Sequence, residues 1–290
     1  METLCGYCMN ISTVMVIGAG QMGGGIAQVM AAAGRKTYLN DMNLEVVESR
    51  ISFIQALLTK DVNGGKITKE QMDATLSNLI PSIDIHDAVD CDLVVEAVVE
   101  NIDVKIKIFK DLDLICKPEC ILATNTSSLP ITEIAAATKR QEKVIGMHFM
   151  NPVPVMKLVE IIRGIATSDE TYDSVRAESI ALNKTPVTVR DVPGFIANRV
   201  LQVMINEAIY CLYEGVASVE DIDTVMKLGA NHPMGPLQLA DFIGLDTILS
   251  IMETLYEGYG DCKYRPCPLL RQYVKAGWTG KKAGRGFYQY

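Results

Sequence analysis

The stretch STVMVIGAGQMGGGIAQVMAAAG, residues 12–34, decides the fold class. Residues 12–17 form a β-rich apolar run that stops at a glycine. QMGGGIAQVMAAAG then carries apolar residues at helix spacing and closes at Gly34. A strand that feeds a helix across GAGQMG, residues 18–23, has the form of a dinucleotide-binding turn. Gly18 permits the tight turn, Gly20 lets backbone approach a pyrophosphate, and Gly23 lets the helix pack close to the strand. Ala19, Gln21 and Met22 complete the loop, and the helix N-terminus offers amides and a positive dipole to phosphate oxygens. RKTYLND, residues 35–41, reads as a second strand ending on Asp41, about 20 residues past the loop. A carboxylate there binds a ribose hydroxyl pair and repels a 2′-phosphate, so the expected cofactor is NAD rather than NADP.

Outward from this unit, residues 43–60 are helical in pattern until NGGK at 63–66, and a further helix runs from about 68 to 79. A short strand is expected at 82–85. CDLVVEAVV, 91–99, is a continuous apolar strand, as both-face burial in a parallel sheet requires. Helix at 101–115, strand in CILATNT, a short helix at 130–139, and strands in KVIGMHF and VMKLVEIIRG follow. Residues 170–183 add a helix and TPVTVRD a strand. This alternation gives an α/β fold with a Rossmann-type doubly wound sheet. After Pro193-Gly194 the strand signals stop. Phe195, Ile196, Val200, Leu201, Met204, Ile205, Ala208, Ile209 and Leu212 recur at helix spacing, and three further helical stretches follow. The expected division is a Rossmann-type domain over 1–192 and an all-helical domain over 193–290.

The 290 residues are 49% hydrophobic and 21% charged, ordinary values for a globular enzyme. A net charge of −8 argues against nucleic acid or an anionic membrane as main partner, while local lysines can still meet a phosphorylated ligand. No apolar run is long enough to cross a membrane, and METLCGYCMN has neither a basic start nor an apolar core, so no signal peptide is expected. Eight cysteines are scattered. Cys5-x-x-Cys8 has metal or redox spacing but no second pair nearby, so free thiols in a reducing cytoplasm and no metal site are expected.

His148 is one of three histidines and ends the buried run VIGMHF. By itself a strand-end histidine reads more often as structural than catalytic. Twelve positions on, Glu160 sits among apolar neighbours in KLVEII, across the turn NPVPV. Two antiparallel strands joined by that turn bring His148 and Glu160 side by side. A buried carboxylate needs a partner, and one placed on the far ring nitrogen fixes the imidazole tautomer and raises its basicity. Glu96 and Glu100 stand at and just past the carboxyl end of DLVVEAVV, with Lys105 a helical turn beyond. They read equally well as cofactor contacts and as solvated helix-start charges. Ser127 reads as a strand-to-loop serine, and Asn198 as a helix-start residue with a plausible capping role.

With GAGQMG, CDLVVEAVVEN, ATNTSSL, GMHFMNPVPVMKLVEI, PGFIANRV and ANHPMGPLQLADFIGLD in hand, the sequence closely resembles the L-3-hydroxyacyl-CoA dehydrogenases, above all the short bacterial 3-hydroxybutyryl-CoA type. The resemblance runs from about residue 12 to the terminal GKKAGRGFYQY. It implies two domains, dimerisation through the helical domain, and NAD-dependent oxidation of the 3-hydroxyl of an acyl-CoA. In butyrate-forming bacteria the same type of enzyme runs in reverse on acetoacetyl-CoA. It also implies that His148 is the base, Glu160 its charged partner, Ser127 the hydroxyl on the substrate's 3-oxygen, and Asn198 an amide holding the substrate. Glu100, Lys105, Ser127 and Asn151 match positions lining the nicotinamide and its ribose, and Lys282 in GKKAG a lysine that reaches the cofactor. The chain departs from the family at CoA-contact positions, which read here as Leu57 and Gly64; Lys60 and Lys66 are the lysines left nearby for its phosphates. Two rival readings are β-hydroxyacid dehydrogenases acting on free acids, and a non-enzymatic NAD-binding structural protein like some lens crystallins. The first generally needs a lysine base where this chain has Asn198 and Arg199. The second fits poorly with retention of all four catalytic residue types.

Overall fold

A computed structural model describes residues 9–290; Cys5 and Cys8 lie outside the described residues. The strands are β1 (Thr13–Ile17), β2 (Lys36–Asn40), β3 (Leu79–Ser82), β4 (Leu93–Glu96), β5 (Ile121–Thr124), β6 (Val144–Phe149), β7 (Leu158–Arg163) and β8 (Thr185–Arg190). They form one sheet in the order β3-β2-β1-β4-β5-β6-β7-β8. Strands β3 through β6 are mutually parallel, β7 runs antiparallel to β6, and β8 runs parallel to β7. The accompanying helices are α1 (Gln21–Ala32), α2 (Leu44–Asn63), α3 (Lys69–Asn78), α4 (Ile102–Ile115), α5 (Ile131–Ala136) and α6 (Asp169–Ala181). β4 and β5 are buried at every residue, which is why they read as unbroken apolar runs. The chain leaves β1 toward β2 on one side and returns to β4 on the other. The carboxyl ends of β1, β4, β5 and β6 therefore share one edge, with the crevice of a doubly wound sheet between β1 and β4.

The chain divides into one compact unit running to Asp191 and a second over Val192–Tyr290. The second contains α7 (Ala197–Tyr213), α8 (Val219–Gly229), α9 (Pro236–Ile243), α10 (Leu245–Tyr259) and α11 (Pro268–Lys275). Ile205, Ile209, Leu237, Leu245, Ile248, Met252, Leu255 and Leu270 form its core. Two buried carboxylates fasten the terminal GRGFYQY to it. Asp223 accepts from the amides of Leu237 and Gln238 and from the Tyr288 hydroxyl, while Asp241 accepts from the amides of Phe287 and Tyr288. Gly286 is required there, because a Cβ would lie 1.9 Å from Asp241 Oδ1.

Three of the differences from the boundaries read in the sequence have a local physical cause. β3 covers Leu79–Ser82 rather than 82–85, and its Pro81 is tolerated because β3 is an edge strand. β4 stops at Glu96 rather than 99. The Glu96 carboxylate turns back to accept from the Val98 amide, and Gly18, at φ +103°, crosses close over Ala97. α7 starts at Ala197 rather than 195, because Gly194 and Phe195 are left-handed, at φ +72° and +51°.

Candidate active site

The glycine loop divides its work between packing and approach. A Cβ at Gly18 would meet Ala97 O at 2.6 Å, and one at Gly23 would meet Gly18 O at 1.7 Å, so both positions are closed to any side chain. Gly20 has nothing within 4 Å of a Cβ and caps α1 without a side-chain hydrogen bond. Backbone at Gly20 is therefore open to close approach, and the first amides of a helix lack intrahelical partners, as a pyrophosphate site requires. The Asp41 carboxylate accepts from the Ala19 amide and from its neighbour Met42, each at 2.8 Å, so the acidic residue is built into the loop's rim. Arg50, which sequence reasoning missed, reaches back from α2 to donate to Ala19 O at 3.0 Å. A cavity of about 800 Å³ opens beside the loop, lined by Gly18, Gly20, Asp41, Met42, Ile83 and Val99 among others. An apolar slot ending on a carboxylate and a glycine turn fits the adenosine half of NAD.

Farther along the same edge, the β6–β7 register places His148 opposite Glu160. Directly opposed residues of an antiparallel pair bring their side chains within about 5 Å at Cβ, and here Nδ1 and Oε2 are 2.8 Å apart. Glu160 is 2% and His148 6% exposed, so the pair sits in a poorly solvated setting where the charge interaction is strong. An ionised carboxylate can only accept, so the neutral ring carries its proton on Nδ1 and turns the Nε2 lone pair outward. That nitrogen lies 3.1 Å from Ser127 Oγ.

Ser127 belongs to the loop after β5, and one carboxylate organises that loop. Glu100 Oε1 accepts from Thr126 Oγ1 (2.6 Å), the Ser127 amide (2.9 Å), and the Ser128 amide and hydroxyl (3.1 and 3.2 Å). Asn125 Oδ1 accepts from the Phe149 amide at 2.8 Å and ties the same loop to the end of β6. Lys105, expected at the cofactor, is instead 1% exposed and donates to both oxygens of the wholly buried Glu96. Neither of those two is a solvated helix-start charge. Gln21 Nε2 donates to Asn151 Oδ1 at 3.0 Å, which joins the glycine loop to the turn after His148. That turn is also held by Lys184, the residue before β8, whose ammonium donates to Val153 O and Met156 O. Burial and the neighbouring Lys157 lower the pKa of Lys184.

The remaining expected residues are each placed within their own unit. Lys60 is exposed in the last turn of α2. In the second unit, Asn198 lies in the first turn of α7, and Lys282 donates to Asp246 Oδ2 at 2.7 Å. Arg199, next to Asn198, stacks over Tyr259 at 4.4 Å and donates to the Tyr264 hydroxyl, a packing role inside its own unit. Among the described residues no cluster of histidine, cysteine or acidic side chains has the form of a metal site.

A nucleotide-type glycine loop and a carboxylate-held histidine on one sheet edge define a nicotinamide-dependent dehydrogenase of the doubly wound class. Residues 13–192 match the family of the 3-hydroxyacyl-CoA dehydrogenase NAD binding domain, and residues 194–290 match that of its C-terminal domain. The chain belongs to the 3-hydroxyacyl-CoA dehydrogenase family. It is 60% identical over 282 residues to a Bacillus subtilis protein described as "Probable 3-hydroxybutyryl-CoA dehydrogenase", covering 97% of this chain and 98% of that one. It is 55% identical to the 3-hydroxybutyryl-CoA dehydrogenase of Bradyrhizobium diazoefficiens, covering 97% and 96%. The crystal structure of the (S)-3-hydroxybutyryl-CoA dehydrogenase of Ralstonia eutropha superimposes with a TM-score of 0.95 at 48% identity, covering 97% and 99%.

Proposed function

We propose that this chain interconverts L-3-hydroxybutyryl-CoA and acetoacetyl-CoA with NAD as the redox partner. The observation that carries the reading is the imidazole of His148, bonded to Glu160 on one side and facing Ser127 on the other, on the edge that bears the glycine loop. When bound, NAD supplies the acceptor for the hydride that leaves C3. Ser127 Oγ holds the substrate's 3-oxygen beside His148, whose Nε2 takes the hydroxyl proton. Glu160 stabilises the imidazolium that forms, and in the reducing direction His148 returns the proton. Asn198 is assigned to the substrate on the family match alone.

In the cofactor site, the α1 amides and Gly20 take the pyrophosphate and Asp41 the adenosine ribose. Asp41 supports NAD over NADP, since its carboxylate repels a 2′-phosphate. Glu100 and Asn151 line the nicotinamide side, Lys282 is carried over from the family, and Lys105 acts through Glu100 rather than by direct contact. Lys60 is assigned to a CoA phosphate. A homodimer formed through the helical unit is supported by an apolar hollow of about 420 Å³ between α7 and α8, lined by Met204, Ala208, Cys211, Val225 and Met226. A cytoplasmic setting is supported by free thiols at Cys91, Cys116, Cys120, Cys211, Cys262 and Cys267. No helix of the described residues is long and apolar enough to cross a membrane.

The test is to mix the protein with NADH and acetoacetyl-CoA and follow the loss of reduced cofactor. Rapid oxidation with the thioester, none with free acetoacetate, and a slower rate with NADPH are expected. Turnover of the free acid would move the chain to the β-hydroxyacid reading, and silence with every acyl length would remove the enzymatic one.

A further inference from the structure

The hydrogen bonds behind Ser127 form a continuous chain that starts in the interior. Glu96, at the end of β4, is fully buried and held by the Thr124 hydroxyl and the Val98 amide, both at 2.7 Å. Its two oxygens take the Lys105 ammonium at 2.7 and 3.0 Å. The same ammonium lies 3.4 Å from Glu100 Oε2, and the other Glu100 oxygen collects the four donors of residues 126–128. Ser127, at the far end, meets His148 at 3.1 Å.

We infer that Glu96 is a positioning residue: it fixes Lys105, Lys105 fixes the rotation of Glu100, and Glu100 holds Ser127 at the distance the reaction needs. The inference rests on the functional reading above. A lysine stem has four rotatable bonds, and here the sealed Glu96 carboxylate holds its ammonium within reach of Glu100. Stability alone does not call for this arrangement, since buried ion pairs can usually be exchanged for well-packed apolar side chains at little or no loss. What an apolar pair cannot supply is a charge aimed at Glu100. One oxygen of Glu100 then faces a cation while the other faces four donors, so rotating it breaks both sets.

The test compares the wild type with Glu96→Gln and with Glu96→Gln/Lys105→Met, the double variant avoiding an orphaned buried cation. Three quantities are read: kcat with acetoacetyl-CoA, NADH affinity by fluorescence, and amide exchange at Ser127, Ser128 and Leu129. A displacement of about 1 Å costs on the order of 10²-fold in rate. The expected result is therefore a kcat lowered by about 10- to 100-fold in the double variant, NADH affinity lowered by a smaller factor because Glu100 lines the nicotinamide side, and faster exchange at those amides. Lys105→Arg in the wild-type background should recover much of the rate lost in Lys105→Met. A folded double variant with wild-type kcat, or one whose kcat falls while loop exchange stays unchanged, overturns the inference. If the wild type itself fails on acyl-CoA, the functional reading falls, and exchange alone then decides whether Glu96 holds the loop.

Discussion

The protein holds two buried acid–base pairs on one sheet edge, and they are built differently. His148 and Glu160 face each other across the antiparallel strands β6 and β7, and the imidazole keeps its second nitrogen directed at Ser127. Lys105 and Glu96 join a helix to a strand end, and the ammonium is sealed, with donors on Glu96 and its remaining reach toward Glu100. Both pairs satisfy the rule that a buried charge needs a partner. Only the first leaves an atom where a substrate proton can go. The second ring nitrogen of the first pair meets a hydroxyl that the proposed reaction uses, whereas the ammonium of the second meets carboxylates.

The largest expected break of this contrast is His148→Gln, which keeps size and hydrogen bonding but cannot cycle a proton. Turnover should fall by about 10³-fold, within the usual reach of general acid–base catalysis, with NADH titration unchanged. Glu160→Gln retains the bond but offers Nδ1 no charge; a loss on the order of 10²-fold is expected in kcat, with circular dichroism unaltered. Ser127→Ala removes the donor beside the 3-oxygen, and steady-state kinetics should report roughly a 10²-fold lower kcat with NAD affinity preserved. At the cofactor end of the edge, Asp41→Ala should weaken NADH binding by about tenfold and narrow the gap between NADH and NADPH, read from paired titrations, since one charge-assisted bond contributes about 1.5 kcal/mol.

The smallest effect tests a carboxylate outside both pairs. Burial pushes Asp92 up, but bonds from Lys117, the amides of Thr13 and Ser12 and the Ser12 hydroxyl outweigh it and hold its pKa at about 2, against 3.8 when free. A depressed folded value stabilises the native state above pH 3.8 and loses that contribution as pH falls toward 2. Asp92→Asn should therefore lower stability at neutral pH by about 1 kcal/mol after allowance for solvent screening, and less in acid, as urea titrations at several pH values would read.

Much of this edge was legible in the sequence because it depends on local chemistry. The glycine loop needs three glycines at fixed spacing, Asp41 ends the next strand, and a proline turn between two apolar strands sets the His148–Glu160 register. Each follows from periodicity and turn residues. Glu96 was legible as a strand-end acid but not as a sealed one, because its partner is supplied by the start of α4 and by Thr124 from another strand. Arg50 and Lys184 were missed for the same reason. Their acceptors are backbone carbonyls of distant loops, which leave no mark in residue type or spacing. The α7 boundary failed at Phe195 because apolar spacing cannot report a left-handed residue.

Nitrogen-15 NMR of the imidazoles addresses the central claim most directly, and with three histidines in the chain assignment is tractable. The neutral ring of His148 should carry its proton on Nδ1, with Nε2 bare, and Glu160→Gln should disturb that preference. A wild-type ring protonated on Nε2, or one indifferent to the loss of the Glu160 charge, would contradict the assignment of His148 as the group that takes the substrate proton.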